Sequence, residues 1–158
     1  MTGSARVGRI SRAEAERMSF EELYLALIAP LQFDRTNGSR GQQILATATF
    51  FIREVDNGGL AQAFYNWSLD ELLAAIDAFE AVGATTHAEI VRLALSRLFE
   101  GVDPASDTEV HSRVDALTEA WVEENFDALD ERLYDERQLW PYFQQFIEDN
   151  PEEFFFPD

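Results

Sequence analysis

Five times along this chain a serine or threonine stands three positions before a glutamate: Ser11/Glu14, Ser19/Glu22, Ser68/Glu71, Thr86/Glu89 and Ser106/Glu109. That spacing is a capping box. The hydroxyl accepts from the amide three residues on, and the carboxylate returns to the cap amide. Most of the five are followed by apolar positions at helical spacing, so the chain reads as all-α. At 158 residues one domain is the default, and it can bury roughly 68–70% of its unfolded surface. The expectation is a single compact domain of six to eight helices.

The apolar stripes place those helices. Phe20, Leu23, Leu27 and Ile28 share one face, and Pro30 ends it. Ile44, Leu45, Ala48, Phe51, Ile52 and Val55 follow the pattern of a buried helix. Leu69, Leu72, Leu73, Ile76 and Phe79 make the next, with Gly83 as a left-handed stop. Val91, Ala94, Leu95 and Leu98 follow, then a loop at 101–105. Val110, Val114, Leu117 and Trp121 form a narrow stripe that Asn125 ends, with Asp127 opening a short successor. Pro141 suits a first helical turn, so a last helix starts near Trp140 and runs to Asp149, where Asn150-Pro151 stops it. Residues 34–42 read as the main internal loop. Residues 1–18, carrying Arg6, Arg9, Arg12 and Arg17, read as a basic, mobile tail, and residues 19–158 as the helical domain.

The most distinctive string is Asn57-Gly58-Gly59-Leu60-Ala61-Gln62-Ala63-Phe64-Tyr65-Asn66. Its flanks are helix-periodic, so the two glycines read as a corner that closes one helix and opens another. Glycine accepts the positive φ of such a corner. Gln62 and Asn66, one turn apart, are placed to bond to the corner or to a neighbouring loop.

This string resembles the NGG-x-x-Q-[FY]-[FY]-x-N signature of the DNA-mimic protein 19 family. Asn57, Gly58, Gly59, Gln62, Phe64 and Asn66 match it, while Leu60 and Ala63 stand where the family usually has aromatics. The likeness extends over roughly residues 40–154, to Leu72–Gly83, Ala88–Ala94 and Asn150-Pro151-Glu152-Glu153-Phe154. It implies an all-α, dimeric protein whose acidic surface imitates DNA and sequesters a DNA-binding transcription factor. The matching motif reads as a fold determinant. The mimic surface itself has no motif, so the resemblance carries over no acidic residue.

Charge gives that surface a place. Residues 100–158 hold eighteen of the thirty acids and only Arg113, Arg132 and Arg137, a net of −15, against −3 for residues 1–99. Concentrated negative charge repels nucleic acid and membrane and attracts basic partners. On a helical wheel Asp115, Glu119 and Glu123 fall opposite the Val110–Trp121 stripe, and Asp127, Asp130, Glu131, Asp135 and Glu136 offer a second row. These eight are the candidate partner-binding residues. An ordinary solvated face has the same pattern in any one helix. Mimicry of a phosphate array needs several rows side by side, and a homodimer doubles the set.

Other chemistry has less support. There is no cysteine, which excludes disulfides and thiolate metal sites and fits a reducing, cytoplasmic setting. There is no lysine, so a lysine Schiff base is excluded. His87 and His111 sit in no metal or general-base pattern and read as structural. Asp103, Asp107 and Glu109 lack the glycine and the twelfth-position glutamate of a calcium loop and read as helix capping. Phe154-Phe155-Phe156 reads as a tail docked on the domain's own core. The longest apolar run, Leu23–Leu31, is nine residues, against about 20 for a membrane span. The first 18 residues lack the apolar stretch of a secretory signal.

The chain therefore reads as a non-enzyme with no cofactor, metal or catalytic residue, no membrane contact and no direct nucleic-acid binding. Three functions share its charge. One is an acidic, DNA-mimic-like module for a basic protein such as a transcription factor. Another is an immunity-type or antitoxin-like inhibitor of a basic toxin. The third is a soluble helical domain whose acidity serves solubility.

Overall fold

The computed structural model describes residues 8–105 and 107–157. They form ten α-helices: α1 (Arg12–Ala15), α2 (Phe20–Ile28), α3 (Arg40–Asn66), α4 (Leu69–Ala81), α5 (Thr85–Leu98), α6 (Asp107–Asp115), α7 (Glu119–Asn125), α8 (Asp127–Leu133), α9 (Trp140–Asp149) and α10 (Pro151–Phe154). Short 3-10 turns lie at Ala29–Leu31, Arg35–Asn37 and Glu136–Leu139. The described residues contain no β-strand, so the chain is all-α.

The long helix α3 is the axis of the domain. Helices α2, α4, α6, α8 and α10 all pack on it. Its apolar positions Leu45, Ala48, Phe51, Ile52 and Val55 are buried, as their spacing predicts. Phe51 meets Trp67 and Phe79 edge-on at 5.4 and 5.9 Å between ring centroids. Such pairs add about 0.5–1.5 kcal/mol beyond their burial.

Capping explains most starts. Ser19/Glu22 and Ser68/Glu71 form complete capping boxes, and Ser11 accepts from the Glu14 amide. Ser39/Gln42 forms another, with glutamine doing the work of glutamate. The segment read as a loop therefore yields to α3 at Arg40. Thr86/Glu89 does not cap. After α4 the chain makes a Schellman turn: the Ala84 amide donates to the Phe79 carbonyl at 2.8 Å and the Gly83 amide to Glu80 at 3.0 Å, with Gly83 at φ +85°. That turn starts α5 at Thr85 and leaves Thr86 inside the helix. Ser106, and with it the fifth pair, lies outside the described residues.

Two stripes differ in detail. Leu73 is 44% exposed on α4, whose buried face passes through Leu72, Ala75, Ile76 and Phe79. The Val110–Trp121 stripe belongs to two helices, because Thr118 accepts from the Trp121 amide at 3.1 Å and restarts the chain as α7. Helix α9 spans Trp140–Asp149, as expected, but it is not the last: Pro151 opens a further short helix, α10.

Both ends of the described chain are tied together. Of the segment expected as a mobile tail, residues 1–7 lie outside the described residues. From Ile10 it pairs with the C-terminal segment: the Ile10 amide donates to Phe154 O and the Phe156 amide to Ile10 O. Phe154 is fully buried and Phe155 is half-buried, so the aromatic tail docks on the core. No helix is long and apolar enough to cross a membrane among the described residues.

Candidate functional site

The glycine corner falls inside α3. Gly58 (φ −161°, ψ 17°) and Gly59 (φ +76°, ψ −179°) leave helical geometry, so one helix ends and the next begins there, as the motif suggests. The restart exposes a backbone donor, Leu60 N–H, and Asp130 of α8 accepts it at 2.8 Å. Asp130 is only 5% exposed. Burial pushes its carboxyl up to about 6; the Leu60 amide opposes this and the charge of Asp127 adds to it. A Cβ on Gly59 would stand 2.7 Å from Asp130 Oδ2.

The rest of the motif braces this bend. Gln62 and Asn66 donate to Glu54 Oε2 at 3.3 and 3.0 Å, across the kink from the first half of α3. Phe64 is fully buried and meets Phe126 edge-on at 5.7 Å, and Trp121 also meets Phe126 edge-on, at 5.0 Å. The motif thus orients α7 and α8, which carry the acidic surface. Asn57 is exposed at the corner.

The eight acidic candidates separate into two groups. Asp115, Glu119, Glu123, Asp127 and Glu131 are exposed, and none enters the four ion pairs among the described residues. They recur every fourth residue, although α6, α7 and α8 are separate helices, so they do not form one straight row. The other three serve the fold. Asp130 is buried as the cap of Leu60 and is not part of an exposed face. Asp135, at φ +77°, accepts from Arg137 through both carboxylate oxygens, and its own amide donates to Asp56 at 3.0 Å. Glu136 accepts from the Tyr24 hydroxyl at 2.7 Å and Arg53 Nε at 3.1 Å. Glu124, which the wheel argument omits, is exposed beside Glu123. The step-of-four spacing from 115 to 131 is the sequence signal that separates the exposed set from Asp130 and Glu136.

Two of the nearby arginines are engaged with backbone carbonyls. Arg97 donates to the Asn125 carbonyl at 2.6 Å, at the end of α7. Arg113 donates to the Leu98 carbonyl at 3.3 Å and lies over Phe99. Arg132 is the exposed cation of α8.

A cleft of about 390 Å³ opens within this surface. Ala61 of α3, Val114 of α6, and Leu117 and Val122 give it an apolar lining. Thr118, Glu119, Glu123 and Asp127 complete it. Asp115 and Glu131 lie outside it.

Neither histidine lines this cleft. His87 is 7% exposed against Phe79, and burial lowers its pKa, with Arg132 adding to the effect. His111 stacks on Tyr65. No group of three or more His, Cys, Asp or Glu among the described residues is placed to hold a metal ion.

Neither the curated proteins nor the solved structures hold a significant match to this chain. A family model described as DMP19-like protein matches residues 36–150, which include the whole of α3 to α9. This family is not known for enzymes. On that match, the chain belongs to the DMP19-like protein family.

Proposed function

We propose that this protein is an acidic binding module that occupies the basic, DNA-binding face of a protein partner, in the manner of a DNA mimic. The observation that carries the reading is the set Asp115, Glu119, Glu123, Asp127 and Glu131: exposed, regularly spaced and outside every ion pair described. Membership of the DMP19-like family supports it. So does the net charge of −18.

The geometry of imitation is a matter of charge density. A step of four residues along a helix advances about 6 Å. One DNA strand presents a phosphate about every 3.4 Å. A four-residue step within α7 or α8 is therefore roughly half as dense as one strand, and mimicry calls for several such steps side by side, which a second copy across a two-fold axis would double. Arginines and lysines of the partner then meet carboxylates where they would meet phosphates. The reading calls on no cofactor.

The test is capture of the partner at low salt, followed by titration against wild type and a triple variant, Asp115→Arg, Glu119→Arg and Glu123→Arg. The triple variant should bind about tenfold more weakly or worse while remaining folded, because exposed charges contribute little to stability. Duplex DNA should compete with wild type for the partner. Full-strength binding by the triple variant would reduce the acidic set to a solvated surface. A partner that the triple variant loses but DNA does not displace points to the inhibitor of a basic toxin.

A further inference from the structure

A phosphate array has no apolar floor, and this acidic surface has one. Ala61, Leu117 and Val122 line the cleft between α3 and α7, while Glu119, Glu123 and Asp127 bring three carboxylates to it. We infer that the cleft takes one long basic side chain, an arginine or lysine from the partner's cationic segment. Its methylene stem lies on the floor and its charged head among the carboxylates. This rests on the acidic-surface reading and adds an anchor point to it.

The chemistry of the lining selects that occupant. Arginine and lysine cover apolar surface with their stems while keeping the head solvated or paired. An apolar occupant would desolvate the carboxylates and offer no countercharge. A short cation would pair with the carboxylates and leave the floor wet. Two of the chain's own nearby arginines are engaged elsewhere, Arg97 with the Asn125 carbonyl and Arg113 with the Leu98 carbonyl, and Arg132, exposed on α8, does not line the cleft. The acids at the cleft enter none of the four described ion pairs. Both the negative charge and the apolar floor are thus left for a side chain from outside.

The test separates stem from charge. Fluorescein-labelled octalysine, octaornithine and octa-diaminobutyrate carry equal charge on stems of four, three and two methylenes. Binding is read by fluorescence anisotropy at low salt and about pH 6, where these amines are protonated. Affinity should rise along the series by up to about fourfold per methylene, the equivalent of about 0.8 kcal/mol for each CH₂ buried. Ala61→Phe fills the floor without changing charge, and all three peptides should then bind alike, at the level of the shortest. Val122→Thr keeps the side-chain shape and adds a hydroxyl; it should flatten the series too, and carries the test if the bulkier replacement disturbs the fold. Equal binding of the three peptides to wild type overturns the cleft inference and leaves the acidic surface standing. A series that survives both replacements does the same. Binding of none of the three to wild type removes the acidic-surface reading itself.

Discussion

At Gly59 the chain turns through φ +76° with a buried carboxylate against its α-carbon. A side chain there meets two penalties, the left-handed backbone and the Asp130 oxygen. Gly59→Val should cost about 1–3 kcal/mol from backbone strain, with the contact adding to it. Gly58 differs. Its φ of −161° is extended backbone open to any residue, and a Cβ there meets the Gln62 side chain. Gly58→Ala should displace Gln62 from Glu54 and cost less. Thermal melts decide between them, and equal melting temperatures for the two variants would show that the positive φ is no constraint. Asp130 makes a separate prediction. Its folded pKa of about 6 lies above the unfolded value of about 3.9. The protonated form therefore favours folding. That contribution is complete below about pH 4 and is lost as pH rises through about 6, amounting to on the order of 3 kcal/mol. Asp130→Asn keeps an acceptor for Leu60 N–H and cannot ionise. Its stability relative to wild type should therefore rise between pH 4 and 7, as followed by urea denaturation. A constant difference over that range would place the Asp130 titration elsewhere.

Elements in this fold are held at their ends as much as along their faces. Ser39 accepts from the Gln42 amide and donates to the Glu153 carbonyl at 2.6 Å, while Glu153 Oε2 accepts from the Gly41 amide at 3.0 Å. The start of α3 is thereby bonded to α10. Ser39→Ala removes both bonds of the hydroxyl and should cost about 1–2 kcal/mol in chemical denaturation, the upper range for a cap. An unchanged midpoint would show that Gln42 and Glu153 suffice. These ends also show what the sequence could and could not convey. Ser19, Ser68 and the Trp140–Asp149 helix were readable because caps and periodicity act within a few residues. Thr86 has the spacing of a cap but does not act as one, because the Gly83 turn, closed by Phe79 and Glu80, sets the start of α5 first. The α6–α7 break was hidden because Val110, Val114, Leu117 and Trp121 keep one period across Thr118. Asp130 reads as a surface acid in the sequence because its partner, Leu60 N–H, is seventy residues away. Composition cannot distinguish a carboxylate that faces solvent from one that caps a distant helix.

The molecule as a whole carries a charge of −18, from thirty acids and twelve arginines. The four ion pairs described are all partly exposed, and such pairs contribute about 0–1 kcal/mol each. Most of the acidic repulsion is therefore unrelieved, and self-repulsion of this kind works against the compact state. Salt shortens its reach, from a Debye length of about 10 Å at 0.1 M to about 3 Å at 1 M. The same screening weakens attraction to a basic partner. Two effects of opposite sign follow from one surface: added sodium chloride should raise the melting temperature of the free protein and lower its affinity for the captured partner. The triple variant reduces the negative charge by six units. Its melting temperature should depend less on salt than that of wild type, and its residual binding should also show a shallower salt slope. A melting temperature that falls with salt would mean the acids are stabilised within the fold. A rise in melting temperature with no salt-sensitive partner would leave repulsion real and recognition absent, which is the pattern of a surface selected for solubility alone.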